Sequence, residues 1–340
     1  MENDLFLTNS INELKSTIQN GGSPPSYLFP ILKAGTFVQK FGMFLRHRTL
    51  EHEVEAHVIS IGNLTAGGSG KTPAVIEIAK QWIDNGHTVG ILTRGYGVPQ
   101  DSDVVVSKDV PQNEWPKRLG DEPALILSKI PDAIIFKGKN RVLSSQMAIE
   151  EYHCSVLLLD DGFQYVQLKR DENILLIDAT NPFGNGELIP LGTLREPISE
   201  IRRATVIWTT RCDQVNPEEL KNLETSIREK SDDIPILNKC HQPIQLRRLT
   251  TGDTYPLDWL KNKRVHAACA LGNPQSFLDT LKGLGAELLS SGKYNDHETI
   301  PRSDLEKSEP VIITEKDAAK LFEVPENVYA LEIEMADYKA

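Results

Sequence analysis

The sequence predicts an α/β fold, a mostly parallel sheet with helices on both faces, plus a smaller C-terminal α/β domain joined by an extended connector. Three observations predict it. From about residue 58 short apolar runs alternate with helical patterns; a glycine-rich loop joins a predicted strand to a predicted helix at residues 60–72; and the apolar run Val156-Leu-Leu-Leu ends in Asp160-Asp161. Alternation of this kind is the signature of a parallel sheet covered on both sides.

Taken in chain order, residues 1–25 match none of these patterns. Between Ser26 and Leu50 there is no acidic residue, and Lys33, Lys40, Arg46 and Arg48 are interleaved with apolar side chains. Ile31, Ala34, Val38, Phe41 and Leu45 keep the spacing of one helical face, and Pro30 suits a first helical turn. The uncharged runs are shorter than the ~18–20 residues that cross a bilayer. Residues 26–50 therefore read as a basic amphipathic helix, either lying on an anionic membrane surface or packed on the protein's own core. The density of Phe beside Lys and Arg favours the membrane.

Buried strands are expected at 58–61, 89–92, 104–106, 133–136, 156–159, 174–177 and 206–208, and helices at about 71–85, 120–130, 140–152 and 195–203. The stretch 235–249 reads as an extended connector. A second α/β set follows, with strands at 265–270, 311–314 and 328–333 and a helix at 274–285. The expected organisation is thus an extra segment 1–25, an interfacial helix 26–50, a larger domain 51–234, and a connector with a smaller domain 235–340.

Ser60-Ile-Gly-Asn-Leu-Thr65-Ala66-Gly67-Gly68-Ser69-Gly70-Lys71-Thr72 carries the strongest chemical signal. Glycines let backbone amides turn toward anionic oxygens, and the helix that follows adds its positive end. The strict phosphate-loop pattern has Gly where Thr65 stands. Lys71 is expected to reach the β- and γ-phosphates and Thr72 to hold Mg²⁺. Asp160 and Asp161 then occupy the strand end from which an acid supports that metal ion. These features make the larger domain P-loop NTPase-like, a nucleotide site with Mg²⁺ as its metal ion.

A GTP-binding switch would need Asn-Lys-x-Asp; Asn238-Lys239-Cys240-His241 lacks the Asp, and Thr314-Glu-Lys-Asp317 has its Lys one place late. A membrane-associated positioning ATPase, acting as switch or scaffold, remains the alternative, although its second loop lysine is replaced by Ala66. Phosphoryl transfer to an acceptor needs a polar residue near the acceptor hydroxyl and cations for the transition state. Candidates are Asp121 and Glu122 at a helix start, Arg94 and Tyr96 after a strand, and Asn185, Arg195 and Glu196 in a long turn-rich insertion.

Composition excludes other classes. With 37 basic and 48 acidic residues among 340, the net charge of -11 opposes general nucleic-acid binding. Apolar residues at 39% and charged residues at 25% fit a compact globular chain rather than a disordered or polytopic one. Cys154, Cys212, Cys240 and Cys269 form no C-x-x-C pair, and the acidic Met1-Glu-Asn-Asp start lacks the basic region of a secretory signal, so the protein is expected inside the cell.

In order along the chain stand Gly-Asn-Leu-Thr-Ala-Gly-Gly-Ser-Gly-Lys-Thr-Pro73, Thr93-Arg-Gly-Tyr-Gly97, Gly120-Asp-Glu-Pro123, Asp160-Asp-Gly-Phe-Gln164, Phe183-Gly-Asn-Gly186, Leu194-Arg-Glu-Pro197, Gly272-Asn-Pro274, Asp296-His297 and Thr314-Glu-Lys-Asp317. Together they resemble the tetraacyldisaccharide 4′-kinase family, over about residues 28–335. The resemblance implies transfer of the γ-phosphate of ATP to the 4′-hydroxyl of an acylated glucosamine disaccharide 1-phosphate, giving lipid IV-A in lipid A biosynthesis. The expected location is the cytoplasmic face of the bacterial inner membrane, as a peripheral protein. By motif, Asp121 falls on the family's catalytic base and His297 on its partner. Asp160 and Asp161 fall on the Mg²⁺-associated pair, Arg141 and Arg195 on positions lining the active site, and Gln164 on the motif that follows the metal pair. The family often has Asp-His-His where this chain has Asp296-His297-Glu298.

Overall fold

The computed structural model describes residues 22, 24–46, 48–96, 98–99, 103–271, 274–295, 298–321 and 323–339. Most of the expected segment 1–25, together with Gly97, Gly272, Asn273, Asp296 and His297, lies outside the described residues. The chain divides into two compact units, one within Met1–Lys71, Leu159–Cys240 and Asp337–Ala340, the other Thr72–Leu158 and His241–Ala336.

In the first unit the strand Glu172–Asp178 runs parallel to His57–Asn63 on one side and to Val206–Thr210 on the other, and Ile236–Asn238 extends the sheet beside Ile207–Thr209. These strands read as near-continuous apolar runs because parallel strands bury both faces. Their core gathers Leu64, Phe163, Leu175, Ile177, Ile207 and, from the helix Pro217–Arg228, Leu223 and Ile227. That helix starts sharply because Pro217 fills its first position and Asn216 and Glu219 form a reciprocal capping box. The parallel register places Asn63, Asp178 and Thr210 at the C-terminal strand ends, the edge at which ligands bind such sheets.

The helix Phe29–Arg46 belongs to the first unit and presents two contrasting faces. Thr36 and Met43 are buried, Met43 joins the core, and Gln39 Nε2 donates to Arg195 O at 2.9 Å. The stripe read from the sequence, Ile31, Ala34, Val38, Phe41 and Leu45, points outward instead, joined by Phe37 at 73% exposure and by Phe44.

In the second unit Val89–Thr93 lies parallel to Ile134–Lys137, and the short Val105–Val106 adds an antiparallel edge. The helices Asp121–Lys129 and Arg141–Glu150 belong here. A further set of parallel strands runs in the order Glu287–Tyr294, Arg264–Ala270, Val311–Thr314, Val328–Asp337, with Leu246, Val265, Ile312 and Leu331 in its core.

The mostly parallel α/β architecture agrees with the sequence, and two local readings need correction. The helix expected at 195–203 is a 3-10 helix confined to Ile198–Arg203; Pro197 is extended and disfavours helical conformation in the residue before it. The connector expected at 235–249 is extended as read, a 13-residue strand, Ile236–Arg248, paired at one end with Val206–Thr210 and at the other with Thr254–Tyr255. The edge strand Glu287–Tyr294 went unpredicted because Ser290-Ser291-Gly292 carries no apolar alternation, and an edge strand has little need of it.

Candidate active site

Immediately after the strand His57–Asn63 the chain enters the glycine-rich loop, and Lys71 opens the helix Lys71–Asp84. The backbone bends through positive φ at Gly67 (130°) and Gly70 (84°), conformations that only glycine takes readily. A Cβ built on Gly67 or Gly68 would meet nothing within 4 Å, so the loop borders open space. Its carbonyls are tied down: Thr210 Oγ1 donates to Ser69 O at 3.0 Å, Arg211 Nη2 to Gly68 O at 2.9 Å, and Lys71 Nζ to Gly67 O at 3.4 Å. Arg211 is itself held by an ion pair with Asp178. Engaging carbonyls on one side suits amides turned to an anion on the other. Ser69 Oγ is buried and has no hydrogen-bond partner among the described residues, a hydroxyl that a phosphate oxygen would satisfy.

Lys71, Asn63, Asp161 and Arg195 converge beside this loop. Lys71 Nζ donates to Asn63 Oδ1 at 3.3 Å and stands 3.8 Å from Asp161 Oδ1. Arg195 grips Asp161 with two bonds of 2.8 Å and also donates to both oxygens of Asn63. Asp161 adopts a left-handed φ of 52°, unusual for a residue other than glycine, and such backbone persists where neighbours over-determine it. Asp160, at the end of its strand, is 5% exposed. Gln164 Nε2 donates to Asn63 O at 2.9 Å.

The turn-rich insertion supports this cluster. Arg195 N donates to Leu64 O at 2.7 Å and Ala66 N to Thr193 O at 2.7 Å, so the insertion backbone is bonded to the loop. Glu196 is fully buried and ion-paired with Arg203, whose guanidinium also lies 4.3 Å over the Phe163 ring. Asn185 Nδ2 donates to Leu191 O at 3.0 Å, and its Oδ1 accepts from Glu187 N at 3.2 Å. Both side chains thus brace the insertion from within.

The other candidates belong to the second unit. Asp121 and Glu122 open their helix behind Gly120, whose φ of 110° turns the chain into it. Each faces a lysine: Lys320 Nζ is 3.7 Å from Asp121 Oδ2, and Lys316 Nζ donates to Glu122 Oε1 at 3.4 Å. Arg94 and Tyr96 follow Val89–Thr93 and are exposed, Tyr96 to 78%. Arg141 is 2% exposed at the head of its helix, and Thr72 is half-buried. His297 lies outside the described residues.

Sequence reasoning passed over Asn63, Thr210, Arg211, Arg203, Lys316 and Lys320. Asn63 stood inside the quoted motif, and a polar residue at a strand end was its available signal. Arg211 offered none, since the loop carbonyl it binds lies 143 residues away. The oxygens expected from the sequence to serve a divalent ion are those of Asp160 and Asp161 in the first unit and of Thr72 in the second. Among the described residues no three His, Cys, Asp or Glu gather in one place to hold a metal ion.

A glycine loop over open space, a lysine at its end and a carboxylate–arginine clamp beside it define a P-loop protein equipped for phosphoryl transfer. Residues 29–339 match the family model described as Tetraacyldisaccharide-1-P 4'-kinase, LpxK. A tetraacyldisaccharide 4'-kinase from Elusimicrobium minutum is 34% identical, covering 96% of this chain and 91% of that one; one from Anaeromyxobacter dehalogenans is 37% identical, covering 78% and 72%. A crystal structure of LpxK from Aquifex aeolicus, in complex with ATP, superposes with a TM-score of 0.72 at 30% identity, covering 92% of this chain and 94% of that chain. The chain belongs to the tetraacyldisaccharide-1-P 4'-kinase family. That membership decides for a kinase of lipid A biosynthesis over the positioning ATPase.

Proposed function

We propose that this chain binds ATP on the loop Thr65–Thr72 and transfers its γ-phosphate to the 4′-hydroxyl of an acylated glucosamine disaccharide 1-phosphate. The observation that carries the reading is the convergence of Lys71 and Arg195 on Asp161 beside a loop that borders open space. Phosphoryl transfer passes through a loose, highly charged transition state, so positioning and cationic stabilisation do most of the catalysis. Lys71 supplies a cation to the γ-phosphate. The Arg195 guanidinium holds the Asp161 carboxylate in one orientation, and Asn63 links both cations through its Oδ1. Mg²⁺, with Thr72, Asp160 and Asp161 as its protein oxygens, would neutralise phosphate charge.

Asp121 is the proposed base for the acceptor hydroxyl and His297 its partner. A hydroxyl that attacks through a loose transition state loses its proton late, so a weak base suffices. Arg94, Tyr96, Glu122 and Arg141 are proposed to line the acceptor side. Residues 51–234 form the proposed kinase domain, and 235–340 the connector and smaller domain.

Because an acylated acceptor stays in the bilayer, the kinase is proposed to work at the cytoplasmic surface of the inner membrane, docked by the helix Phe29–Arg46. Exposure of Phe37, Phe41 and Phe44, with Lys33 and Lys40 also exposed, supports this. Among the described residues no helix is long and apolar enough to cross a membrane. The test is incubation of the full chain with ATP, Mg²⁺ and the tetraacylated disaccharide 1-phosphate in detergent. Mass spectrometry should find one added phosphate per ATP consumed, with slow hydrolysis when acceptor is omitted. Fast acceptor-independent hydrolysis without lipid phosphorylation would overturn the reading.

A further inference from the structure

Lys320 is almost buried, its side chain 7% exposed, and an ammonium group taken out of water needs its charge and its three donors satisfied. Three acceptors surround it. Asp317 Oδ1 lies 3.4 Å away, Asp121 Oδ2 lies 3.7 Å away, and the carbonyl oxygen of Glu298 accepts its bond at 3.1 Å. Asp317 is fixed in turn: its Oδ2 accepts from Thr314 Oγ1 at 2.7 Å and from Ala270 N at 3.0 Å, which ties it to the ends of two strands. Lys320 is therefore held by the sheet and reaches outward to the carboxylate of Asp121.

The remaining contact is to the residue that follows His297 in the chain. Glu298 also closes its own turn, accepting from Asn295 N at 2.8 Å and from Asn295 Nδ2 at 2.7 Å, while its amide donates to Asn295 O at 3.0 Å. Those bonds, first that from the Asn295 side-chain amide, lower the Glu298 carboxyl from its ordinary value. One ammonium group thus binds both the carboxylate proposed as base and the backbone next to its proposed partner.

We propose that Lys320 is a positioning residue for phosphoryl transfer, holding the Asp121 carboxylate toward the acceptor and tying it to the segment that carries His297. The proposal rests on the assignment of Asp121 as base. The late proton loss of a loose transition state asks little of the base beyond its placement. What Lys320 contributes is orientation, and misplaced catalytic groups cost rate rather than nucleotide affinity.

The test is a double-mutant cycle on the full chain, reading kcat, KM for ATP and melting temperature for Lys320→Met, Lys320→Arg, Asp121→Asn and the Asp121→Asn/Lys320→Met pair. Lys320→Met is expected to lower kcat by roughly tenfold or more with KM for ATP within about twofold of the parent, and Lys320→Arg to recover most of that loss. In the Asp121→Asn background the Met substitution should cost less than about twofold, because the group it positions is gone. An unchanged kcat in Lys320→Met, or a full-sized loss in the Asp121→Asn background, overturns the proposal. If Asp121→Asn alone keeps parental activity, the base assignment fails instead, and the two failures are distinguishable. Should Lys320→Met not fold, Lys320→Gln replaces it under the same criteria.

Discussion

Arg195 holds Asp161 by both carboxylate oxygens, Nη1 to Oδ2 and Nη2 to Oδ1, each at 2.8 Å. This paired geometry suits a planar guanidinium and cannot be copied by an ammonium group. It braces a residue with a left-handed backbone, and Lys71 approaches the same carboxylate. The clamp therefore determines where a carboxylate meets the phosphate loop.

Replacing Arg195 by Lys should fail to restore what Arg195→Ala removes. Both variants are expected to lose about 10²-fold or more in kcat while remaining folded, since the backbone bonds of residue 195 survive either change. Steady-state kinetics with circular dichroism checks this; near-parental kcat in Arg195→Lys would mean that charge alone matters.

The phosphate loop separates activity from stability. Lys71→Ala and Thr72→Ala should abolish transfer without unfolding the protein, because neither side chain fills the core. Gly68→Ala is sharper. Its Cβ would meet no protein atom within 4 Å, so the melting temperature should hold, whereas a methyl group in the space meant for phosphate should raise KM for ATP by about tenfold or more. A destabilised Gly68→Ala with unchanged KM would show that the open space is not the nucleotide's.

Two faces of the helix Phe29–Arg46 should respond oppositely. The triple exchange Phe37→Ser, Phe41→Ser, Phe44→Ser removes exposed rings and should release the chain from anionic vesicles with little change in melting temperature. Met43→Ala removes a buried side chain and should cost about 2–5 kcal/mol of stability without altering vesicle binding in the folded protein. Co-sedimentation and thermal unfolding read the two effects separately.

Cys269 and Cys154 should resist alkylation. Burial first, and then the charge of Asp317, push the Cys269 thiol up to about 12; burial pushes Cys154 up to about 11 against a small opposing pull from Lys108. At pH 8 the reactive thiolate is then roughly 10⁻³ or less of either thiol. Iodoacetamide and peptide mass spectrometry should find both unmodified until the chain unfolds. The neutral thiols are favoured in the folded state, so their contribution to stability is full below the ordinary value of 9.0 and fades as pH rises toward those raised values.

The sequence by itself determined the α/β alternation, the phosphate loop, the acidic strand end and the order of motifs that marks the family. All are local: a strand, a loop and a helix start are specified by periodicity, glycine and capping chemistry within a dozen residues. It also contained the stripe Ile31, Ala34, Val38, Phe41, Leu45, while leaving open which way that stripe faces. Only the tertiary structure decided that Met43 and Thr36 turn inward, with Gln39 bonded to Arg195 O, and that the stripe turns out. The same holds for the pairing of Glu196 with Arg203, and for Arg211, which carried no signal and anchors the loop. Lys320 reached Asp121 across 199 positions of sequence. Pairings at such separations depend on which strand ends meet in the folded sheet, and a hydrophobic pattern records burial without recording partners.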